Sequence, residues 1–236
     1  MKRTLVSLAV ASGLGLASTA AMADFIFDGF GDVQGPVNDA VIGGGGVSSP
    51  YIAVTDTTIT GLERSIWVEK TGGNPDPGFD AEVRVLGGAL NYSSDAGAGN
   101  PVRGEGGALY RISGGGTADL TGWEALNFIV KVLDADLAGS KISFSLTDSD
   151  GSTLSTSFDI AAGSGEYSRA FSAFTSAGGS FDWDKFKTAG LTVDGKAVGG
   201  LDISIDIIKS VPEPATLALL GLGLAGLGFA GRRRQK

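Results

Sequence analysis

Lys141-Ile142-Ser143-Phe144-Ser145-Leu146-Thr147, then Asp148-Ser149-Asp150-Gly151, then Ser152-Thr153-Leu154-Ser155-Thr156-Ser157-Phe158-Asp159-Ile160: apolar and polar side chains alternate on both sides of a four-residue polar break. Successive side chains of a strand point to opposite faces. Ile142, Phe144 and Leu146 therefore share one face against Lys141, Ser143, Ser145 and Thr147. In the second half Leu154, Thr156, Phe158 and Ile160 oppose Ser155, Ser157 and Asp159. A period of two over this length is a strand signal, since a helix would repeat its apolar positions every three to four residues. Asp150-Gly151 supplies the positive φ that a tight turn requires, which makes the pair a β-hairpin. A hairpin with one apolar face must bury that face against another layer.

The pattern extends in both directions. Leu126, Phe128, Val130 and Val132 form one face and Asn127, Ile129 and Lys131 the other. Earlier strands are expected at Arg64 to Lys70, Ala81 to Leu86 and Ala108 to Ile112, and later ones at Glu166 to Phe171, Gly190 to Val193 and Leu201 to Lys209. Only Trp183 to Lys187 has the look of a brief helical turn. Half-buried strands at short intervals with almost no helix between them indicate an all-β antiparallel sandwich or barrel.

Both ends of the chain break this pattern. Lys2 and Arg3 precede an apolar run from Leu5 to Leu16, and Ala21-Met22-Ala23 places small residues where a signal peptidase needs them. Residues 1–23 are expected to be a Sec-type signal peptide cut between Ala23 and Asp24. At the other end Val211-Pro212-Glu213-Pro214 precedes an unbroken apolar run, Ala215 to Gly231, and the basic terminus Arg232-Arg233-Arg234-Gln235-Lys236. Two prolines flanking one residue force an extended backbone, accessible to an enzyme. The seventeen residues from Ala215 give a helix of roughly 25 Å, enough to cross a bilayer core. The charges behind it stay on the cytoplasmic side, which leaves everything upstream on the outer face.

The remainder, residues 24–210, is of single-domain size. Six of the 18 Lys and Arg and one of the 26 Asp and Glu lie in the two ends, so this remainder carries a net charge of −13. Such a surface repels nucleic acid and anionic lipid and makes small cations its natural partners. The chain has no Cys, so an exported domain must hold by packing without disulfides. It has no His either, which removes the commonest general base, the commonest zinc ligand and any Ser-His-Asp triad.

The tripartite C-terminus resembles the PEP-CTERM sorting signal of Gram-negative bacteria. Pro212, Glu213 and Pro214 match its namesake residues, Ala215 to Gly231 its helix, and Arg232, Arg233 and Arg234 its basic cluster. The resemblance implies an exosortase as partner. It further implies transient insertion in the inner membrane through residues 215–231, cleavage near the motif, and delivery to the cell surface or extracellular matrix. Residues 211–236 then form the sorting segment and residues 24–210 its cargo.

Leu191-Thr192-Val193-Asp194-Gly195 followed by Leu201-Asp202-Ile203-Ser204-Ile205-Asp206-Ile207-Ile208 resembles the closing strands of galactose-binding-like jelly rolls, the fold of many carbohydrate-binding modules. Gly61-Leu62-Glu63-Arg64 is similar to a stretch that many PEP-CTERM cargoes carry before a strand. The expected fold is accordingly a jelly-roll-like antiparallel β-sandwich, followed by one C-terminal transmembrane helix. Related modules often hold a structural calcium near the first and last strands, which makes Asp28 and Asp206 the positions to inspect; the alternative is that both are solvent-facing strand carboxylates.

Other constellations carry less. Gly43 to Gly46 lacks the Lys-Ser/Thr of a phosphate loop, and Gly221 to Gly226 mimics a dinucleotide fingerprint inside the apolar run with no strand before it. Asn91-Tyr92-Ser93 is a glycosylation sequon by pattern only. Asp76, Asp80 and Glu82 cluster where a loop enters a strand and are the candidates for a glycosidase carboxylate pair, although so acidic a chain supplies such clusters freely. Trp67 lies out of phase with Ile66 and Val68 and so faces outward; Trp123, Tyr51, Tyr92 and Trp183 sit at strand ends or loops. Exposed, these rings form a carbohydrate platform; inward, they are ordinary core or rim packing. The leading function is a non-catalytic surface or matrix protein with extracellular polysaccharide as its ligand and no cofactor. The alternative is a secreted carboxylate-dependent glycoside hydrolase.

Overall fold

The computed structural model describes residues 24–97 and 99–212. The expected signal peptide, Glu213 and Pro214, the apolar run 215–231 and the basic tail 232–236 lie outside the described residues. Among the described residues no helix is long and apolar enough to cross a membrane.

Fifteen strands follow one another within these limits: β1 (Phe25–Asp28), β2 (Gln34–Asp39), β3 (Val47–Ser48), β4 (Ile52–Ala53), β5 (Leu62–Gly72), β6 (Ala81–Leu86), β7 (Ala89–Ser94), β8 (Arg103–Ile112), β9 (Leu126–Ala135), β10 (Lys141–Asp148), β11 (Thr153–Asp159), β12 (Gly165–Ala170), β13 (Thr175–Ala177), β14 (Phe186–Asp194) and β15 (Asp202–Pro212). They form an antiparallel sandwich. One sheet runs β12, β9, β15, β7, β6, β2, with β1 lying beside the second half of β15. The other runs β13, β11, β10, β14, β8, β5, and both β3 and β4 pair with the far edge of β5.

The opening hairpin forms as its alternation requires. Lys141 through Thr147 pair in unbroken register with Asp159 through Thr153, and Gly151 takes φ 88° in the turn. Asp148 ties that turn, its Oδ1 accepting the N–H of Asp150 and of Ser152 at 2.9 Å each. Ile142, Phe144, Leu146, Leu154, Phe158 and Ile160 are all buried. The two layers meet through aromatic rings: Phe27 of β1 meets Tyr110 and Phe144 edge-on at 5.0 and 5.3 Å, and Phe128 of β9 stacks on Phe144 at 4.3 Å.

The expected strands all form, most with longer limits, and only β6 coincides residue for residue. The turn expected at Trp183 to Lys187 closes after Lys185, because Phe186 is fully buried and already starts β14. Strands β1, β2, β3, β4, β7 and β13 were not anticipated. β2 is polar and holds Pro36, which an edge strand tolerates because no neighbour needs its missing N–H.

Candidate functional site

The outer face of the eight-stranded sheet is built in rows across its strands. Trp67 on β5 lies beside Gly107 on β8, then Thr192 on β14, Ser143 on β10 and Ser157 on β11. The next row is Ser65, Leu109, Gly190, Ser145 and Ser155, and the one beyond it Glu63, Arg111, Thr188, Thr147 and Thr153. Gly107 is obligatory, since a Cβ there would collide with the carbonyl oxygen of Leu191. The strip beside the indole of Trp67 is therefore bare backbone. Arg111 lies flat on the ring of Tyr51, its guanidinium carbon 3.9 Å from the centroid, and its Nε donates to Glu63 Oε2 at 2.7 Å. Leu109 is 40% exposed between these two groups. Within these three rows one half of the face thus offers an indole, a guanidinium and a leucine, while the other offers small hydroxyls and a glycine.

Burial sorts the aromatic candidates. Trp67 is half-buried on the outer face, as its phase requires, and Tyr51 is half-buried under Arg111. Tyr92 and Trp123 belong to the core instead, at 1% and 5% exposure. Burial pushes the Tyr92 hydroxyl far above its ordinary value. Trp183 packs on Phe171 and Phe181 at 5.3 and 4.9 Å. The outer face of the eight-stranded sheet therefore presents Trp67 and Tyr51, the latter under Arg111.

The carboxylates weighed as a glycosidase pair have local tasks. Asp76 Oδ1 accepts the N–H of Gly78, Asp80 Oδ2 accepts from Asn38 Nδ2 at 2.8 Å, and Glu82 lies 3.5 Å from Arg84 on its own strand. Two of the clefts contain a pair of acidic residues. A shallow groove of about 260 Å³ on the seven-stranded sheet includes Asp134 and Asp202, with Arg84, Asn91, Ser93 and Ser204. A cleft of about 430 Å³ includes Asp24 and Asp119 beside Phe25 and Trp123. Asp202 accepts a hydrogen bond from Ser93 Oγ at 2.5 Å. The Thr121 hydroxyl and N–H hold Asp119 below the usual carboxylate range, the opposite of what a general acid needs.

Asp28 departs from both expectations made for it, whereas Asp206 is the outward-facing strand carboxylate of the alternative. Asp28 is neither a solvent-facing carboxylate nor free for a cation. It is fully buried, accepts both oxygens' worth of hydrogen bonds from Arg64 Nη1 at 2.9 and 2.6 Å, and also accepts from Phe30 N–H at 2.8 Å and Tyr110 Oη at 2.9 Å. Burial pushes its carboxyl above the ordinary value, with the Arg64 charge pulling the other way. Arg64 Nη2 donates to the Asp32 carbonyl and Nε to Gln34 Oε1. Asp206 lies outward, 2.5 Å from Lys131 Nζ. Among the described residues no group of three or more acidic side chains is placed to hold a metal ion.

Arg64 and a second buried cation, Lys70, were missed in the sequence, although a signal for both is there. Leu62, Ile66 and Val68 fix the inward phase of β5, and Arg64 and Lys70 share that phase. Lys70 Nζ meets its need by donating to the carbonyls of Ala40 and Phe79 at 3.1 and 2.6 Å.

Residues 210–234 match the PEP-CTERM protein-sorting motif. No curated protein matches the chain. Among solved structures the chain is similar to the family 11 carbohydrate-binding module of the cellulosomal cellulase Lic26A-Cel5E of Clostridium thermocellum. Identity is 14% and the TM-score 0.42, over 82% of this chain and 97% of the module. A family 30 carbohydrate-binding module gives 11% and 0.37 over 76% and 100%. PfGH50B gives 13% and 0.41 over 60% of this chain but only 22% of that protein, so the chain spans about a fifth of its length.

Proposed function

We propose that this chain is an exported, non-catalytic surface or matrix protein of a Gram-negative bacterium that binds a neutral polysaccharide on the outer face of its eight-stranded sheet. In this reading residues 1–23 are a signal peptide, 24–210 the cargo, and 211–236 a sorting segment that inserts in the inner membrane and is removed by an exosortase. The sorting motif at 210–234 supports the route.

The observation that carries the ligand is the row Trp67, Gly107, Thr192, Ser143, Ser157. A sugar ring stacks on an indole, bare glycine lets the chain lie close to the backbone, and hydroxyls meet hydroxyls beyond it. Successive strands are about 4.8 Å apart, so the row extends roughly 19 Å, room for several sugar units. Charge narrows the class. The border row Glu69, Glu105, Asp194, Lys141, Asp159 is mostly acidic, which repels a polyanion.

A glycan array probed with residues 24–214 tests the reading, and Trp67→Ala is expected to weaken retention at least tenfold without changing the melting temperature by more than a few degrees. Retention of no neutral glycan, or retention indifferent to Trp67, refutes it. Release of new reducing ends from a bound glycan would move the assignment to the hydrolase.

A further inference from the structure

The strand that ends the cargo also begins the sorting motif. β15 runs through Ser210, Val211 and Pro212, which pair with Phe128, Asn127 and Leu126 of β9, and these three residues open the 210–234 match. On its other edge β1 pairs with Ser210 and the residue before it, Phe25 with Ser210 and Ile26 with Lys209. Lys209 Nζ lies 2.9 Å from Asp24 Oδ2, Phe25 packs on Trp123 at 5.5 Å, and Ser210 is fully buried. The backbone upstream of the motif is thus extended, as its prolines require, but at Ser210 it is held from both sides.

A protease that takes its substrate as an extended strand needs the edges of that strand free, because its own backbone groups make the hydrogen bonds. We propose that β1 is a latch on β15: the processing enzyme gains the motif only when the end of β15 peels from β1 and β9, so the folded cargo sets the rate of its own release. This rests on the sorting reading given above. When opening and closing are fast relative to cleavage, the rate of cutting follows the population of the open form, and the free energy of such an opening lies between that of a fraying terminus and that of global unfolding.

The test is a pulse-chase of the full chain in a Gram-negative host that processes PEP-CTERM proteins, with loss of the C-terminal peptides followed by mass spectrometry. Ile26→Cys with Lys209→Cys places two thiols on directly paired residues, whose Cα atoms are about 4.5–5.5 Å apart, within disulfide range. The chain has no cysteine of its own to compete. The bridged variant is expected to lose its tail at least tenfold more slowly, and to regain the wild-type rate when a membrane-permeant reductant opens the bridge. A variant with Gly-Ser-Gly-Ser inserted between Ser210 and Val211, which carries the intact motif away from the sheet, is expected to be processed several-fold faster. Bridged and reduced chains released at one rate overturn the latch alone. A wild type that keeps its tail overturns the latch and the sorting reading together.

Discussion

Asp28→Ala is the perturbation whose cost can be worked most directly from the structure. The substitution removes the acceptor of two hydrogen bonds from Arg64, one from Phe30 N–H and one from Tyr110 Oη, and leaves a guanidinium with no exposed side-chain surface facing an empty acceptor position. Breaking a buried pair by removing one partner costs about 3–5 kcal/mol. Whole-domain stability is about 5–15 kcal/mol, so the loss is a large share of it. At about 2–4 °C per kcal/mol for a domain of this size the melting temperature should fall by roughly 6–20 °C. Asp28→Leu with Arg64→Met removes both charges and is expected to recover most of that loss, since apolar replacements of buried pairs are often neutral or better. The assay is thermal unfolding of residues 24–214 followed by circular dichroism. Because the pair is buried, the difference should persist between low and high salt. A loss for Asp28→Ala of less than about 1 kcal/mol, the worth of one ordinary hydrogen bond, would refute the claim that Asp28 is the acceptor anchoring residues 28–34 to β5.

Two further outcomes follow from particular contacts. Gly107→Ala should cost about 1–3 kcal/mol by overpacking against the Leu191 carbonyl, whereas Gly190→Ala, whose Cβ meets the rotatable Ser145 Oγ at 3.3 Å and Leu109 Cδ2 at 3.9 Å, should stay within about 0.5 kcal/mol in urea titrations. Burial alone would raise the Asp148 carboxyl, but the N–H groups of Asp182, Ser152 and Asp150 outweigh it and hold the group below the usual range. Its contribution is therefore present above pH ~4 and lost as pH falls through the lower folded value, so Asp148→Asn should be less stable at pH 7 by about 1.5–3 kcal/mol, the worth of a hydrogen bond to a charged group, and flatter than wild type on the acid side.

The strands legible in the sequence are those in which burial acts on one face at a time. In β10 from Ile142 to Leu146 and in β11 the inward positions are apolar or a single threonine, so period two survives; β9 keeps it from Leu126 to Val132, even with Ile129 buried on the other face. β7 hides its phase, because Ala89 and Leu90 are both buried. β2 has only Val37 as an apolar core residue; its other buried positions are Gln34 and Asp39, one bonded to Arg64 and the other accepting the Lys70 N–H. Such a strand has no hydrophobic signature to detect, since two of its three inward side chains are polar, one hydrogen-bonded to a buried guanidinium and the other to a backbone N–H.

The same reasoning explains which part of the candidate site could be read in advance. The outward phase of Trp67 follows from Ile66 and Val68 on either side, and the hydroxyls of Ser143, Ser145, Ser155 and Ser157 from the alternation of their own hairpin. That these lie in one row depends on β14 and β8 standing between them and β5, a matter of sheet order that no local pattern encodes. The bare strip at Gly107 likewise exists because β14 passes within contact of it. Arg64 shows the converse: charge at an inward phase marks a position where burial has been compensated by a partner far along the chain. Here that partner is Asp28, 36 residues away, and it lies on β1, the strand that also closes over the start of the sorting motif. Loosening the ion pair should therefore loosen the edge that holds Ser210, which would couple the stability of the sandwich to the exposure of the residue that opens the 210–234 match.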